Sequence, residues 1–124
     1  MEKIICNGYA YYSDGKKIFR AKEDGTEAFV LYSKHEKNKA ILAIKDVKDG
    51  YVYFEEIGYY TYQSDWQHEA EKTYTAYRVK TDESLELQKI SYREDIRPYG
   101  ADDYVAGTPE TYDPPKDVEN PAKK

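Results

Sequence analysis

The feature that most constrains this chain is a near-repetition of six residues. Residues 7–12 read Asn-Gly-Tyr-Ala-Tyr-Tyr, and residues 49–54 read Asp-Gly-Tyr-Val-Tyr-Phe. Each copy joins a two-residue turn signal to a run of aromatic and β-branched residues, which is the pattern of a hairpin entering its second strand. The sequence therefore predicts a β unit that occurs twice.

A second match places an insertion in the second copy. Residues 18–26 read Ile-Phe-Arg-Ala-Lys-Glu-Asp-Gly-Thr, and residues 76–84 read Ala-Tyr-Arg-Val-Lys-Thr-Asp-Glu-Ser. This separation is 58 positions against 42 for the first match, so the second copy carries 16 extra residues within its hairpin at about residues 59–73. Insertions in repeats map to loops on one face, and such loops often bind ligands.

The predicted fold class is all-β, with two consecutive four-stranded antiparallel units that resemble propeller blades and together span residues 1–92. The spacing of about 40 residues falls in the range of about 40–45 that is typical of propeller blades. A polar connection at residues 34–39 separates the two units. The predicted strands are residues 4–6, 9–13, 16–23 and 27–33, then 40–44, 51 to about 62, 73–81 and 85–91.

Residues 93–124 form an acidic, proline-rich tail that we predict to be flexible and mostly disordered. All five prolines lie between Pro98 and Pro121, and the tail carries eight acidic and five basic residues. Such a segment buries too little apolar surface to offset its loss of backbone entropy. Residues 96–104 are the part that could pack on the repeats. Deletion of residues 105–124 is accordingly expected to leave the melting temperature nearly unchanged.

Composition excludes several classes of partner. The formal net charge of −5 argues against a nucleic-acid or acidic-membrane binder, because both require a basic excess. Cys6 has no second cysteine with which to form an internal disulfide, which fits a reducing compartment. No apolar window approaches the length of a signal peptide or a membrane span. As written the chain is expected to be cytoplasmic, unless it is cut from a longer secreted protein.

The repeated motifs resemble a known family. The pattern of Asp/Asn-Gly-Tyr-x-Tyr-aromatic, followed by aromatic-Arg-x-Lys-x-Asp-Gly-Thr, is similar to bacterial domain-of-unknown-function repeats described as low-density-lipoprotein-receptor-like β-propellers. Residues 49–54 and 18–26 carry the match, which covers residues 1–91. The resemblance implies blade architecture and supplies no catalytic residue. Two repeats are fewer than the four to eight blades of a closed propeller, and the second copy has Glu83-Ser84 where Gly-Thr is usual.

No catalytic signature, metal site or cofactor site is predicted. Nucleophilic catalysis needs a Ser or Cys beside a base, and the only histidines, His35 and His68, lie in no recognisable motif. An alternative function is a small metal-dependent hydrolase that uses the loop residues Asp65, His68 and Glu69, since two carboxylates and an imidazole can hold a divalent cation.

The predicted function is a non-enzymatic binding or interaction module. Aromatic residues flank the inserted loop, and exposed aromatics beside polar groups can stack on a sugar or hold a peptide. A protein partner or a second copy of the chain is expected, and a carbohydrate ligand is possible. A purely structural blade pair that completes another propeller is a third interpretation. The candidate binding residues are Tyr59, Tyr60, Tyr62, Trp66 and His68.

The strand sequences also predict assembly. Residues 9–12 and 51–54 do not alternate between apolar and polar side chains, so both faces of these strands require cover. Two stacked units cover only each other, which leaves an outer face on each unit. We therefore expect the protein to self-associate or to dock on another protein, unless the inserted hairpin or residues 96–104 fold over an outer face.

Overall fold

The computed structural model describes residues 3–34, 40–60, 68–98, 105–106 and 110–123, and in these residues it contains strands and turns but no helix. The strands form two antiparallel sheets that are not closed into a barrel. Sheet A runs in the order β1 (Lys3–Cys6), β2 (Tyr9–Ser13), β3 (Lys17–Lys22) and β4 (Phe29–Ser33).

Sheet B contains the remaining strands of the described chain. Its order is β10-β8-β7-β6-β5, and the short β9 pairs with β8 beside this path. Its members are β5 (Ile41–Lys48), β6 (Tyr51–Tyr60), β7 (His68–Lys80), β8 (Leu87–Pro98), β9 (Val105–Ala106) and β10 (Glu110–Val118). The predicted all-β class with two consecutive antiparallel sheets is confirmed, and the eight predicted strands occur in the predicted order.

Two tight turns set the register of the first hairpin in each sheet. Cys6 pairs with Tyr9 around Asn7-Gly8, and both turn residues have positive φ, at 50° and 84°. Asp49-Gly50 has φ values of 54° and 78°. Two consecutive positive φ angles define the type I′ turn, whose twist matches that of the flanking strands.

The turn at Asp14-Gly15 is longer than the predicted two-residue hairpin. Gly15 has the expected positive φ of 93°, but Ser13 pairs with Ile18, so four residues lie between the paired positions. The Asp14 carboxylate accepts hydrogen bonds from the backbone N–H groups of the two lysines that follow Gly15, each at 2.9 Å. A side-chain cap of this kind stabilises a longer turn.

The two sheets share one pairing register across their central strands. In both sheets the second and third strands pair without a shift over four consecutive positions, and the paired residues occupy the positions matched by the sequence repeat. Each pair of sheet A has an equivalent in sheet B: Tyr9–Lys22 corresponds to Tyr51–Lys80, Ala10–Ala21 to Val52–Val79, Tyr11–Arg20 to Tyr53–Arg78, and Tyr12–Phe19 to Phe54–Tyr77.

The fourth strands share a β-bulge. The register of β3 with β4 shifts so that Leu31 has no direct partner, and the register of β7 with β8 shifts so that Ile90 has none. Both bulges lie opposite equivalent positions of the third strand. The turn before the fourth strand also matches, because Glu27 and Leu85 both adopt positive φ, at 55° and 61°.

The hydrophobic core lies between the two sheets. One face of each sheet contributes to it, and Phe54, Ile18, Leu31, Val52 and Val79 are its largest fully buried apolar side chains. The remaining members of this cluster are Tyr11, Tyr32, Leu42, Val47 and Leu87. Burial of aliphatic and aromatic side chains at about 25 cal/mol per Å² supplies the main stabilising term of such a sandwich.

The prediction that the tail is mostly disordered is wrong for the described residues 110–123. β10 pairs with the edge of β8, and Asn120, which follows it, is only 2% exposed. The Asn120 amide nitrogen donates to the carbonyl oxygens of Leu31 at 2.7 Å and Leu85 at 3.1 Å. The composition argument missed this segment because backbone hydrogen bonds at a sheet edge and one buried amide require few apolar residues.

The insertion lengthens the central hairpin of sheet B. β6 and β7 contain 10 and 13 residues, whereas β2 and β3 contain 5 and 6. The pairing of β6 with β7 continues to Tyr60 and Glu71. Part of the insertion is therefore strand, and residues 61–67 lie outside the described residues.

The Gly50→Val variant is expected to lose about 1–3 kcal/mol of unfolding free energy, because a β-branched residue is strained at positive φ. Urea denaturation measures this loss. Gly50→Asn is the matched control and should keep most of the stability, since Asn tolerates the left-handed region. Equal losses in the two variants would contradict the type I′ assignment.

The Asn120→Ala variant should lose about 1–3 kcal/mol, because two backbone carbonyls in a poorly hydrated position lose their donor. Lys123→Ala, at an exposed position of the same segment, should change the unfolding free energy by less than about 0.5 kcal/mol. Unfolding midpoints that coincide for Asn120→Ala and the wild type would show that the segment does not pack on the sheets.

Candidate interaction face

Arg20 joins the two sheets from the inner face of sheet A. Its Nη1 donates to the carbonyl oxygen of Thr81 at 2.7 Å, and its guanidinium carbon lies 5.0 Å from the Tyr9 ring centroid. The Phe29 ring lies at a similar distance, 5.3 Å. Glu83 is 3.4 Å away but 70% exposed, so this ion pair contributes little. The hydrogen bond to Thr81 holds Arg20 against sheet B, and the two rings, both on sheet A, orient its guanidinium.

Tyr32 makes a second polar link between the sheets. Its hydroxyl donates to Glu56 Oε1 at 2.6 Å, and its ring packs on Phe54 at 4.8 Å and on Tyr77 at 5.6 Å between centroids. Burial, together with the hydrogen bond to the Glu56 carboxylate, raises the pKa of Tyr32 above its ordinary value. The phenol therefore stays protonated and serves as a donor.

Sheet B carries the equivalents of Tyr9, Tyr11 and Arg20 on the face that points away from sheet A. They are Tyr51, Tyr53 and Arg78, which alternate along their strands with the core residues Val52 and Val79. Tyr51, Tyr53, Arg78 and the neighbouring Gln88 are half-buried. We call these four residues the Tyr–Arg face.

Contacts within the Tyr–Arg face hold its guanidinium in place. Arg78 Nε donates to Gln88 Oε1 at 2.6 Å, and Arg78 Nη1 lies 3.3 Å from the Tyr53 hydroxyl. The guanidinium carbon lies 4.0 Å from the centroid of the Tyr51 ring, which is a cation–π contact. The side chain is thus oriented before any partner is bound.

A polar rim surrounds this face. Lys48 and Asp46 on β5 are exposed and lie 3.9 Å apart, and Lys48 Nζ is 5.3 Å from the Tyr53 ring centroid. Gln88 Nε2 donates to the Asp117 carboxylate at 2.8 Å. Aromatic and arginine anchors inside a polar rim are the composition of a protein interaction surface.

A groove of about 510 Å³ adjoins the Tyr–Arg face. Tyr51 and Gln88 line it together with the β7–β8 turn and the segment after β10. Its charges are mixed, since Lys80 Nζ lies 2.6 Å from Glu86 Oε2 and Asp117 and Lys123 also line it. No histidine, serine or cysteine is among its lining residues in the described chain, so it holds no Ser–His or Cys–His pair.

The structure describes three of the five predicted binding residues, at the far end of the β6–β7 pairing. Tyr59 and Tyr60 end β6 and His68 begins β7, and their backbone positions are what the structure describes. Tyr62 and Trp66 lie outside the described residues. The proposed loop site therefore stays a prediction.

The residues of the alternative hydrolase are divided in the same way. Asp65 lies outside the described residues, while His68 and Glu69 are described by their backbone in β7. His35 also lies outside the described residues. In the part of the chain whose side chains are described, no group of three or more His, Cys, Asp or Glu residues could hold a metal ion.

Sequence reasoning missed the Tyr–Arg face as a candidate site. The signal was present, because the repeat aligns Arg78 with Arg20 and Tyr51 with Tyr9. What the sequence did not supply was the direction of stacking, which places Tyr11 and Arg20 at the contact between the sheets and turns Tyr53 and Arg78 outward.

Substitution of the two equivalent arginines should have unequal effects on stability. Arg20→Ala is expected to lower the unfolding free energy by about 1.5–3 kcal/mol, the range for a hydrogen bond to a charged donor. Arg78→Ala should lower it by less than about 1 kcal/mol, because its contacts lie on an outer face. Chemical denaturation of both variants measures the difference, and equal losses would show that sheet stacking is not as described.

Comparisons with known proteins leave the family of the chain open. In the residues that the structure describes, no helix has the length and hydropathy needed to cross a membrane. A scan against protein-family models gave no match, and searches of curated proteins and of solved structures gave none either.

Proposed function

We propose that the chain is a non-enzymatic interaction module that binds a protein partner through the Tyr–Arg face of sheet B. One observation carries this proposal. The equivalent residues Tyr11 and Arg20 of sheet A already contact the neighbouring sheet within the same chain, while Tyr9, which is 40% exposed, packs on Arg20. A residue set that forms one sheet-to-sheet contact is suited to form a second.

Differences between the two copies support an interaction module over a purely structural blade pair. Next to Arg20 the fourth strand supplies Phe29, whereas next to Arg78 it supplies Gln88. The Cys6 position of sheet A, which packs on the core, corresponds to the exposed Lys48 of sheet B. A face with a polar rim can be exposed to water before binding, which reversible association requires.

The blade-like architecture is part of the same proposal. The shared register, the matched type I′ turns and the repeated bulge support the interpretation that both sheets are copies of one propeller-blade-like unit. Blades stack with like faces in the same direction, so a stack of two has two different outer faces. The Tyr–Arg face is one of them.

The loop site at Tyr59 to His68 is a separate candidate. Along a strand that rises about 3.3 Å per residue, Tyr59 lies about 20 Å from Tyr53. A small ligand cannot contact both regions, although a protein surface can. No described contact favours the metal-dependent hydrolase, so that alternative remains a prediction from the sequence.

Affinity capture with matched variants tests this function. Immobilised wild-type protein should retain proteins from an extract of the source cells, and the Tyr51→Ala/Arg78→Ala variant should lose them. Lys16→Ala, at an exposed position in the β2–β3 turn, is the control and should retain them. Hydrogen exchange of the complex should show added protection in β6 and β7 around Tyr53 and Arg78.

Three results would contradict the proposal. Retention of the same proteins by the face variant would show that another surface binds them. Protection confined to residues 59–68 would assign the function to the loop. Retention of oligosaccharides in place of proteins would favour the carbohydrate interpretation.

A further inference from the structure

We infer that the Tyr–Arg face docks on the outer face of sheet A in a second copy of this chain, which produces head-to-tail assembly. This inference rests on the proposed interaction function and names its partner. The template is the contact between sheets A and B inside one chain, which the second copy would continue.

The outer face of sheet A resembles the inner face of sheet B, on which sheet A packs. Tyr12 and Phe19 stack with ring centroids 5.1 Å apart and an interplanar angle of 19°. Their equivalents in the core, Phe54 and Tyr77, stack at 5.5 Å and 26°. We call the outer set of sheet A the Tyr–Phe face; its members are the exposed Ile5 and the half-buried Tyr12, Phe19 and Val30, while Ala10 and Ala21 on the same side of the sheet are already buried.

The exposure of Ile5 shows that no sheet of the described chain covers the Tyr–Phe face. Ile5 and Val47 occupy matching positions in the first strands, opposite Ala10 and Val52. Val47 is covered by sheet A and is 9% exposed, whereas Ile5 is 54% exposed. Ile5 is one of three large hydrophobic residues that are exposed in the described chain. A docked sheet would cover it.

The hydrogen bond of Arg20 defines the anchor for the second copy. Arg20 donates to the carbonyl oxygen of Thr81, the first residue after β7. The equivalent residue of sheet A is Glu23, the first after β3. Arg78 would therefore donate to the carbonyl oxygen of Glu23 in the second copy. Its contacts to Gln88 and Tyr51 already hold the guanidinium in a fixed orientation on the outer face of sheet B.

Charge complementarity favours the same pairing. The β3–β4 turn carries Glu23, Asp24 and Glu27, which are exposed, and Lys22 is paired with Glu27 at 3.1 Å. The approaching face carries Arg78, and its rim contains Lys48 together with Asp46 and Asp117. The charge that meets the acidic turn is that of Arg78, and an opposite charge at this point steers association and fixes its orientation.

The geometry of this contact has a definite consequence for assembly. The two faces differ, so the interface is heterologous, and a heterologous interface closes into a ring when its rotation permits. Closed propellers contain about four to eight blades, which corresponds to about two to four copies of this two-sheet chain. The polar rim of the Tyr–Arg face makes this association weaker than the contact inside the chain.

Sedimentation velocity with two blocking variants tests the inference. Arg78→Glu blocks the Tyr–Arg face and Ile5→Glu blocks the Tyr–Phe face, so each variant alone should stay monomeric while the wild type gains mass with concentration. An equimolar mixture of the two variants should form a heterodimer, because each retains the face that the other needs. Lys16→Ala should associate as the wild type does.

Other patterns overturn the inference. Association of Ile5→Glu with itself would show a symmetric contact between two Tyr–Arg faces, and association of Arg78→Glu with itself would show one between two Tyr–Phe faces. Circular dichroism checks that the variants are folded, and Ile5→Ser replaces Ile5→Glu if the latter unfolds. A mixture that remains monomeric also overturns it.

The outcome separates this inference from the proposed function. A wild type that stays monomeric at high micromolar concentration, while the Tyr51→Ala/Arg78→Ala variant still loses its captured proteins, overturns self-assembly and leaves the interaction function intact. Self-association that Arg78→Glu does not change overturns the role of the Tyr–Arg face in both.

Discussion

The contact between the two sheets is the constraint on which the rest of this structure depends. A sheet of four short strands has two faces and cannot bury either of them by itself. The core residues come from one face of each sheet, and the polar links of Arg20 and Tyr32 cross the same interface. Asn120 adds a third link, because it joins the bulge residue Leu31 of sheet A to Leu85 beside sheet B.

The direction in which the two sheets stack sets the chemistry of the outer surfaces. If the sheets met through equivalent faces, the interface would be symmetric and the two outer faces would be alike. Here the face of sheet A with Tyr11 packs on the face of sheet B with Phe54. The outer face of sheet B therefore resembles the Tyr11 face, and the outer face of sheet A resembles the Phe54 face. The chain therefore has two different outer surfaces.

The strands and the tight turns were predictable from the sequence because their causes are local. Asn7-Gly8 and its equivalent Asp49-Gly50 specify turns through backbone conformation alone. The four-residue turn after Ser13 depends on hydrogen bonds to the Asp14 carboxylate. Strand β10 depends on the open edge of β8. A local sequence pattern contains neither of these contacts. The Tyr–Arg face was missed for a similar reason, since the direction of stacking is a tertiary property.

The exchange of Phe29 for Gln88 beside the arginine distinguishes the internal face of sheet A from the outer face of sheet B. Around Arg20, Phe29 packs on the core between the sheets, whereas the Tyr9 ring is 40% exposed. Gln88 instead accepts a hydrogen bond from Arg78 Nε and donates to Asp117, so the guanidinium stays oriented while its face meets water. A prepared anchor loses less conformational entropy on binding. The second copy of the repeat thus differs from the first at the position where a face must be stable both alone and in contact.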